Sequence, residues 1–138
     1  MTTSQNQRNF CDIIRSQKKK SGVENTTNQK YRKEKNMSYI KVTKENFEEI
    51  KASEKNVLID FYADWCGPCR MVAPVVEKIA DEHPEYLIGK VNVDDEGELA
   101  REFGVMSIPT LVVLKGGEIV NKSVGAKNQA QILEMLNV

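Results

Sequence analysis

The stretch from Val57 to Arg70, VLIDFYADWCGPCR, limits what this chain can fold into more than any other segment. It begins with apolar and aromatic residues that suit a buried strand, interrupted only by Asp60. Beyond the Cys-x-x-Cys sequence, apolar residues recur at the spacing of an amphipathic helix; they are Val72, Val75, Val76, Ile79 and Ala80. The sequence therefore predicts that Cys66 and Cys69 lie where a strand passes into the first turn of a helix.

Cysteines at the first turn of a helix are well placed for redox chemistry. The unpaired N–H groups and partial positive charge of a helix N-terminus favour the thiolate, which is the nucleophilic form. The spacing allows the two sulfurs to bridge, so one thiolate can attack a disulfide in another protein and the second can then release that protein reduced. We assign attack to Cys66, which is nearer the helix start and expected to be more exposed, and resolution to Cys69.

The sequence WCGPC at residues 65–69, preceded by Asp60 and Phe61, resembles the active site of the thioredoxin family. The resemblance covers about residues 37–138, a whole domain of that family. It implies an electron carrier that reduces protein disulfides through a mixed-disulfide intermediate, contributes to cell redox homeostasis and is re-reduced by an NADPH-dependent thioredoxin reductase. It also implies no bound cofactor beyond the redox-active pair Cys66 and Cys69. Relatives that oxidise proteins often carry a histidine between the cysteines, so Gly67-Pro68 favours a reductant.

A Cys-x-x-Cys sequence can also be half of a zinc site. Zinc usually takes four ligands, and the remaining candidates are Cys11 in a polar segment and His83 at the far end of the same predicted helix. We therefore expect no metal. Two other functions remain open: an envelope or secreted thiol oxidoreductase, and a subunit that binds a partner without turnover.

Asp60 interrupts an apolar strand six residues before Cys66, so we expect it to be buried. Burial raises the pKa of a carboxyl towards neutrality, where it can accept and return protons. The resemblance implies that this aspartate lies behind Cys69 and deprotonates it, and that Lys90 neighbours and modulates it. The alternatives are an exposed acid on an edge strand and an ordinary surface lysine.

Residues 107–110, Ser-Ile-Pro-Thr, resemble the cis-proline loop of the family, although a trans proline at the start of a strand remains open. In that loop the backbone of Ile108 can pair with an extended substrate strand. The resemblance implies an apolar, substrate-binding surface around the thiol, formed by Trp65, Gly67, Pro68, Ile108, Pro109, Gly125 and Ala126.

The 138 residues carry 20 basic and 20 acidic side chains, distributed unevenly. Residues 1–36 hold nine Lys or Arg and three Asp or Glu, whereas the remainder holds 11 and 17. The polar, basic composition of residues 1–36 predicts a disordered extension. One alternative is that Met37 is the true translation start and the gene model extends too far upstream, and another is an organelle transit peptide. The acidic remainder argues against nucleic-acid binding. Because no apolar stretch approaches a membrane span or secretory signal, we expect a cytoplasmic protein with no membrane association. We also expect a monomer.

Hydrophobic periodicity and turn residues predict the order β-α-β-α-β-α-β-β-α along residues 38–138. The first helix is predicted over 44–52 with Thr43 as its N-cap, and Phe47 and Ile50 facing inward. Gly116-Gly117 predicts a hairpin turn. Alternating helices and strands followed by a hairpin imply an α/β fold with a mixed five-stranded sheet and helices on both faces. The strand order of the thioredoxin fold comes from the resemblance alone.

Overall fold

The computed structural model describes residues 38–138, so the predictions for residues 1–36 fall outside the described part of the chain. Within it the predicted order of elements is confirmed. The strands are β1 (Ile40–Lys41), β2 (Val57–Tyr62), β3 (Leu87–Asn92), β4 (Thr110–Lys115) and β5 (Glu118–Val124). The helices are α1 (Phe47–Lys51), α2 (Gly67–Glu82), α3 (Gly97–Glu102) and α4 (Gln129–Leu136).

The five strands form one mixed sheet in the order β1-β3-β2-β4-β5. Strands β1, β3 and β2 run parallel, whereas β4 is antiparallel to both β2 and β5. Strand β2 therefore lies in the middle of the sheet, and five of its six residues are buried. This position explains why its sequence is almost continuously apolar, because a strand covered on both faces has no solvent side.

Each face of the sheet packs against two helices. One face, with Ile59 and Phe61 of β2, packs against the buried residues of α1 and α3. The other face, with Leu58, packs against α2 and α4. Since side chains alternate along a strand, Asp60 lies on the same face as Leu58, beneath helix α2. The predicted sheet with helices on both faces is confirmed.

The start of the first helix differs from the prediction. Asn46, not Thr43, precedes helix α1, which begins at Phe47. The Asn46 carboxamide accepts a hydrogen bond from the Thr43 N–H (2.8 Å) and donates one to the Lys41 carbonyl (2.9 Å). These bonds fold residues 43–46 into a turn, so helical hydrogen bonding starts later than the sequence suggested. The inward-facing residues Phe47 and Ile50 are buried as predicted.

Two turns bound the elements that carry the site. Gly116 and Gly117 have φ values of 60° and 84°, and such positive values are easily adopted only by glycine, so the predicted β4–β5 hairpin is confirmed. Helix α2 continues through Pro74 and ends at Glu82, with His83 at its C-cap, as the His-Pro pair predicted.

Candidate active site

The two cysteines lie at the predicted junction between β2 and α2. Cys66 is the N-cap of α2, and Pro68 lies in the first turn, where a missing N–H costs no helical hydrogen bond. Cys66 and Cys69 form a disulfide with their Cα atoms 5.3 Å apart. The Cys69 N–H points at the Cys66 Sγ atom, and the nitrogen lies 3.3 Å from that sulfur. A donor in this position stabilises negative charge on the Cys66 sulfur once the disulfide is opened.

The expected difference in exposure between the cysteines is small. Cys66 is 5% exposed and Cys69 is 3% exposed, so both count as buried. The surroundings separate the two residues more clearly. The Cys66 Sγ atom lies at the helix N-terminus, 3.8 Å from the carbonyl oxygen of Ile108. Cys69 lies inside the first turn of α2, whereas Cys66 lies beside the backbone of the opposing loop.

That opposing loop contains a cis peptide bond between Ile108 and Pro109, and the trans alternative is wrong. Ile108 is half-buried and packs against a small cluster that includes both cysteines. The Pro109 carbonyl accepts a hydrogen bond from the Gly125 N–H at 2.8 Å. The loop therefore links the cysteines to Gly125, one of the more distant residues of the predicted substrate-binding surface.

The predicted contact residues beside the cysteines are open to solvent. Trp65 is 69% exposed, and Gly67 and Pro68 are also exposed. The Trp65 indole N–H donates to the Asp94 carboxylate at 2.9 Å, which fixes the ring although it has little packing around it. The sequence suggested only an acidic turn at Asp94, because a contact between residues 29 positions apart leaves no local signal.

Two exposed methionines near the site were not predicted from the sequence. Met71 lies two residues beyond Cys69, and Met106 lies two residues before Ile108. Both flank the site in the chain, and large exposed apolar side chains near a reactive group are suited to contact with a partner protein. Helical periodicity could have identified Met71, since it falls off the apolar face of α2.

Asp60 is fully buried, as expected, and neither of its carboxylate oxygens has a hydrogen-bond partner among the described residues. Burial raises its pKa from 3.8 to about 7, and the positive charge of Lys90 partly opposes that rise. A carboxyl with such a pKa exchanges protons readily near neutral pH.

Lys90 is not a surface lysine. It is 7% exposed and is the register partner of Asp60 on the adjacent strand β3. Its Nζ atom lies 4.8 Å from the ring centres of both Tyr39 and Tyr62. The same atom lies 3.4 Å from the Glu77 Oε1 atom on helix α2. Tyr39 and Glu77 could not be predicted as neighbours of Lys90, because they come from segments distant in the chain.

Metal-binding clusters and membrane-spanning helices are both lacking within residues 38–138. No three His, Cys, Asp or Glu side chains in this range are grouped so as to hold a metal ion. In the same range, no helix has the length and apolar character needed to cross a bilayer.

A sulfur pair at a helix N-terminus, opposite a loop with a cis Ile108–Pro109 bond, is suited to exchanging electrons with other disulfides. This arrangement defines a dithiol–disulfide oxidoreductase, whose redox group is its own cysteine pair.

Comparison with known proteins gives the family. A family model described as thioredoxin matches residues 38–138. The thioredoxin of Bacillus subtilis (strain 168) is 48% identical over 102 residues, which cover 73% of this chain and 97% of that protein. The solved structure of a mutant thioredoxin from Halobacterium salinarum has a TM-score of 0.65 and 37% identity, covering 71% of this chain and 85% of its own. The chain belongs to the thioredoxin family and has the thioredoxin fold.

Another relative is longer. The bifunctional thioredoxin reductase/thioredoxin of Mycobacterium leprae (strain TN) is 50% identical over 92 residues. These residues are 66% of this chain, but only 20% of that protein, so this chain spans about a fifth of that relative. With the Cys66–Cys69 pair in place, family membership makes this chain a protein-disulfide oxidoreductase.

Proposed function

We propose that the protein is a general protein-disulfide reductase in which Cys66 attacks and Cys69 resolves. The observation that carries the assignment is the position of the Cys66 sulfur, at the N-cap of α2 with the Cys69 N–H group 3.3 Å away. The Cys66 thiolate forms a bond to one client sulfur while the client disulfide breaks, and the other client sulfur leaves as a thiolate. The Cys69 thiolate then attacks Cys66, which restores the Cys66–Cys69 disulfide and releases the second client thiolate. Two electrons pass to the client, and two protons follow.

In this proposal Asp60 accepts the proton that Cys69 must lose before it attacks. A pKa of about 7 suits this task, because a base works best when its pKa is close to the working pH. Lys90 modulates Asp60 through its positive charge.

We further propose that clients dock on the apolar surface around Cys66. The surface comprises Trp65, Gly67, Pro68, Ile108, Pro109, Gly125 and Ala126. The backbone of Ile108 would pair with an extended client segment and align its disulfide with the Cys66 sulfur.

The source of electrons in the proposal is a thioredoxin reductase that uses NADPH. A relative whose name joins thioredoxin reductase and thioredoxin in one protein supports this pairing. We place the functional domain at residues 37–138, acting as a monomer in the cytoplasm, where thiols are kept reduced. Residues 1–36 are then an extension outside the reaction.

The test is NADPH-coupled reduction of insulin disulfides with a thioredoxin reductase, comparing wild type with Cys66→Ser and Cys69→Ser. We expect turnover in wild type, none with Cys66→Ser, and an accumulated mixed disulfide with insulin for Cys69→Ser. A mixed disulfide formed by Cys66→Ser instead would reverse the two assignments. Absence of wild-type turnover, with both thiols still titratable, would favour a different electron donor or a role as a binding subunit.

A further inference from the structure

The ammonium group of Lys90 is held in a fixed position by side chains from three separate parts of the fold. Tyr39 precedes β1 and Tyr62 ends β2, and the centre of each ring lies 4.8 Å from the Lys90 Nζ atom. Glu77 on α2 supplies the anionic partner at 3.4 Å. Lys90 itself is nearly buried, whereas the Glu77 side chain is 44% exposed. We call Tyr39, Tyr62 and Glu77 the lysine cage.

Lys90 makes no hydrogen bond to Asp60 among the described residues. The two residues are register partners on neighbouring parallel strands, so their side chains leave the sheet on the same face. A lysine and an aspartate so placed would ordinarily form an ion pair. Both Asp60 oxygens nevertheless lack a hydrogen-bond partner among the described residues. The ammonium instead faces the cage.

We propose that Glu77 is a positioning residue for proton transfer: it holds Lys90 in the lysine cage and so leaves Asp60 unpaired and able to accept a proton. This inference rests on the proposed role of Asp60 as the base for Cys69. Glu77 contacts neither cysteine nor client in the proposal, and it acts only through Lys90.

Within residues 38–138, the acidic side chains that interact with Lys90 are Glu77 and Asp60. Strand β4 places Leu111 opposite Asp60, and α4 contributes apolar side chains to this face. The pKa of Tyr39 is raised by burial first and then by the negative charge of Glu77. The pKa of Tyr62 is raised by burial first, then by the nearby charges of Asp64, Tyr39, Asp60 and Asp95. The Cys66–Cys69 disulfide at the start of α2 does not titrate in the oxidised protein.

Loss of the Glu77 charge should change the pKa of Asp60 in one direction. Without that partner the Lys90 ammonium turns towards Asp60, the other acidic group with which it interacts, and stabilises the ionised carboxylate. The pKa of Asp60 therefore falls from about 7 towards its ordinary value. A weaker base then removes the Cys69 proton less effectively, and resolution of the mixed disulfide slows.

The experiment follows the Asp60 carboxyl by carbon NMR across a pH titration of the full, oxidised chain. We expect Glu77→Gln to lower the titration midpoint by about one pH unit or more, the effect of an opposite charge brought within about 4–6 Å. Asp81→Asn is the matched control, since it removes one exposed charge from the same helix and should leave the midpoint unchanged.

A second background separates positioning from a direct charge effect. In Lys90→Met the Asp60 titration midpoint should rise above that of wild type, because the opposing charge is gone. Adding Glu77→Gln to Lys90→Met should leave that midpoint unchanged. An unchanged or raised midpoint in Glu77→Gln alone, or an equal decrease without Lys90, would overturn the inference. Such a result differs from failure of the proposed function, which would appear as full insulin reduction by Asp60→Asn.

Discussion

Replacing Asp60 by asparagine should make the oxidised protein progressively more stable than wild type as the pH rises. The pKa of Asp60 is raised from 3.8 to about 7 in the folded protein because burial removes water from the carboxyl. Between these pH values the native state retains a proton that the unfolded chain has released. The stability linked to this proton is therefore complete below about pH 4 and is lost as the pH rises through about 7. Asparagine is close in size to aspartate and carries no proton to lose in this range.

The size of the effect follows from the two pKa values. Their separation corresponds to about 4 kcal/mol in the free energy of unfolding, because one pKa unit is equivalent to about 1.4 kcal/mol. Water entering beside the ionised carboxylate, or a shift of Lys90 towards it, would reduce this figure. The prediction concerns how the difference in free energy of unfolding between Asp60→Asn and wild type changes with pH. The packing of the new amide adds the same amount to this difference at every pH, so it does not affect the change.

The assay is urea unfolding of the oxidised wild type and Asp60→Asn at intervals from about pH 4 to about pH 9, which spans both pKa values. The difference in free energy of unfolding should favour the variant increasingly up to about pH 8 and then remain level. Other titrating groups contribute equally to both proteins and drop out of the difference. A difference that stays constant over this range would refute the assignment of a raised pKa to Asp60.

Three further changes test the fold and the docking surface. Gly89→Ala would place a Cβ atom 2.5 Å from the Cγ2 atom of the buried Val42 side chain, so we expect a loss of about 1–3 kcal/mol in urea unfolding. Unchanged stability would show that the Val42 side chain can move aside at no cost. Asn128→Ala removes the cap of α4, in which the Asn128 carboxamide oxygen accepts from the Gln131 N–H at 2.9 Å, and should cost about 1 kcal/mol in the same assay. Trp65→Ala should lower kcat/KM for insulin about tenfold, because it removes an exposed aromatic anchor of the kind that dominates binding at protein interfaces. Reduction of a small disulfide such as dithiobis(nitrobenzoate) should stay near wild type, and equal losses on both substrates would contradict a docking role.

Structural features could be predicted from local sequence where all the residues that determine them lie in one short segment. The β2–α2 junction could be predicted because the strand, the helix and the Cys-x-x-Cys pair are contiguous in the chain. The burial of Asp60 could be predicted because a single polar residue in a continuous apolar strand has no solvent side to turn to. The start of α1 was placed too early, because the side chain of Asn46 bonds to the backbone of Lys41 and Thr43 and holds the preceding residues in a turn.

The environment of Lys90 could not be predicted in this way. Its position in the sequence is compatible with an exposed lysine, but Lys90 is buried because β3 lies between β1 and β2 in the sheet. Tyr39, Tyr62 and Glu77 each come from a different part of the chain and meet at one nitrogen atom. No periodicity within a single element records such a meeting.

By itself, the sequence determined the elements, the residues of the redox pair and the buried acid that precedes them, since hydrophobic period, turn residues and cysteine spacing are properties of neighbouring residues. Only the tertiary structure decided the strand order, the cis bond opposite Cys66 and the partner of each buried charge. These depend on which distant segments pack together. A buried charge is stabilised by whatever packing brings within a few ångströms of it, and that distance is fixed by the fold as a whole.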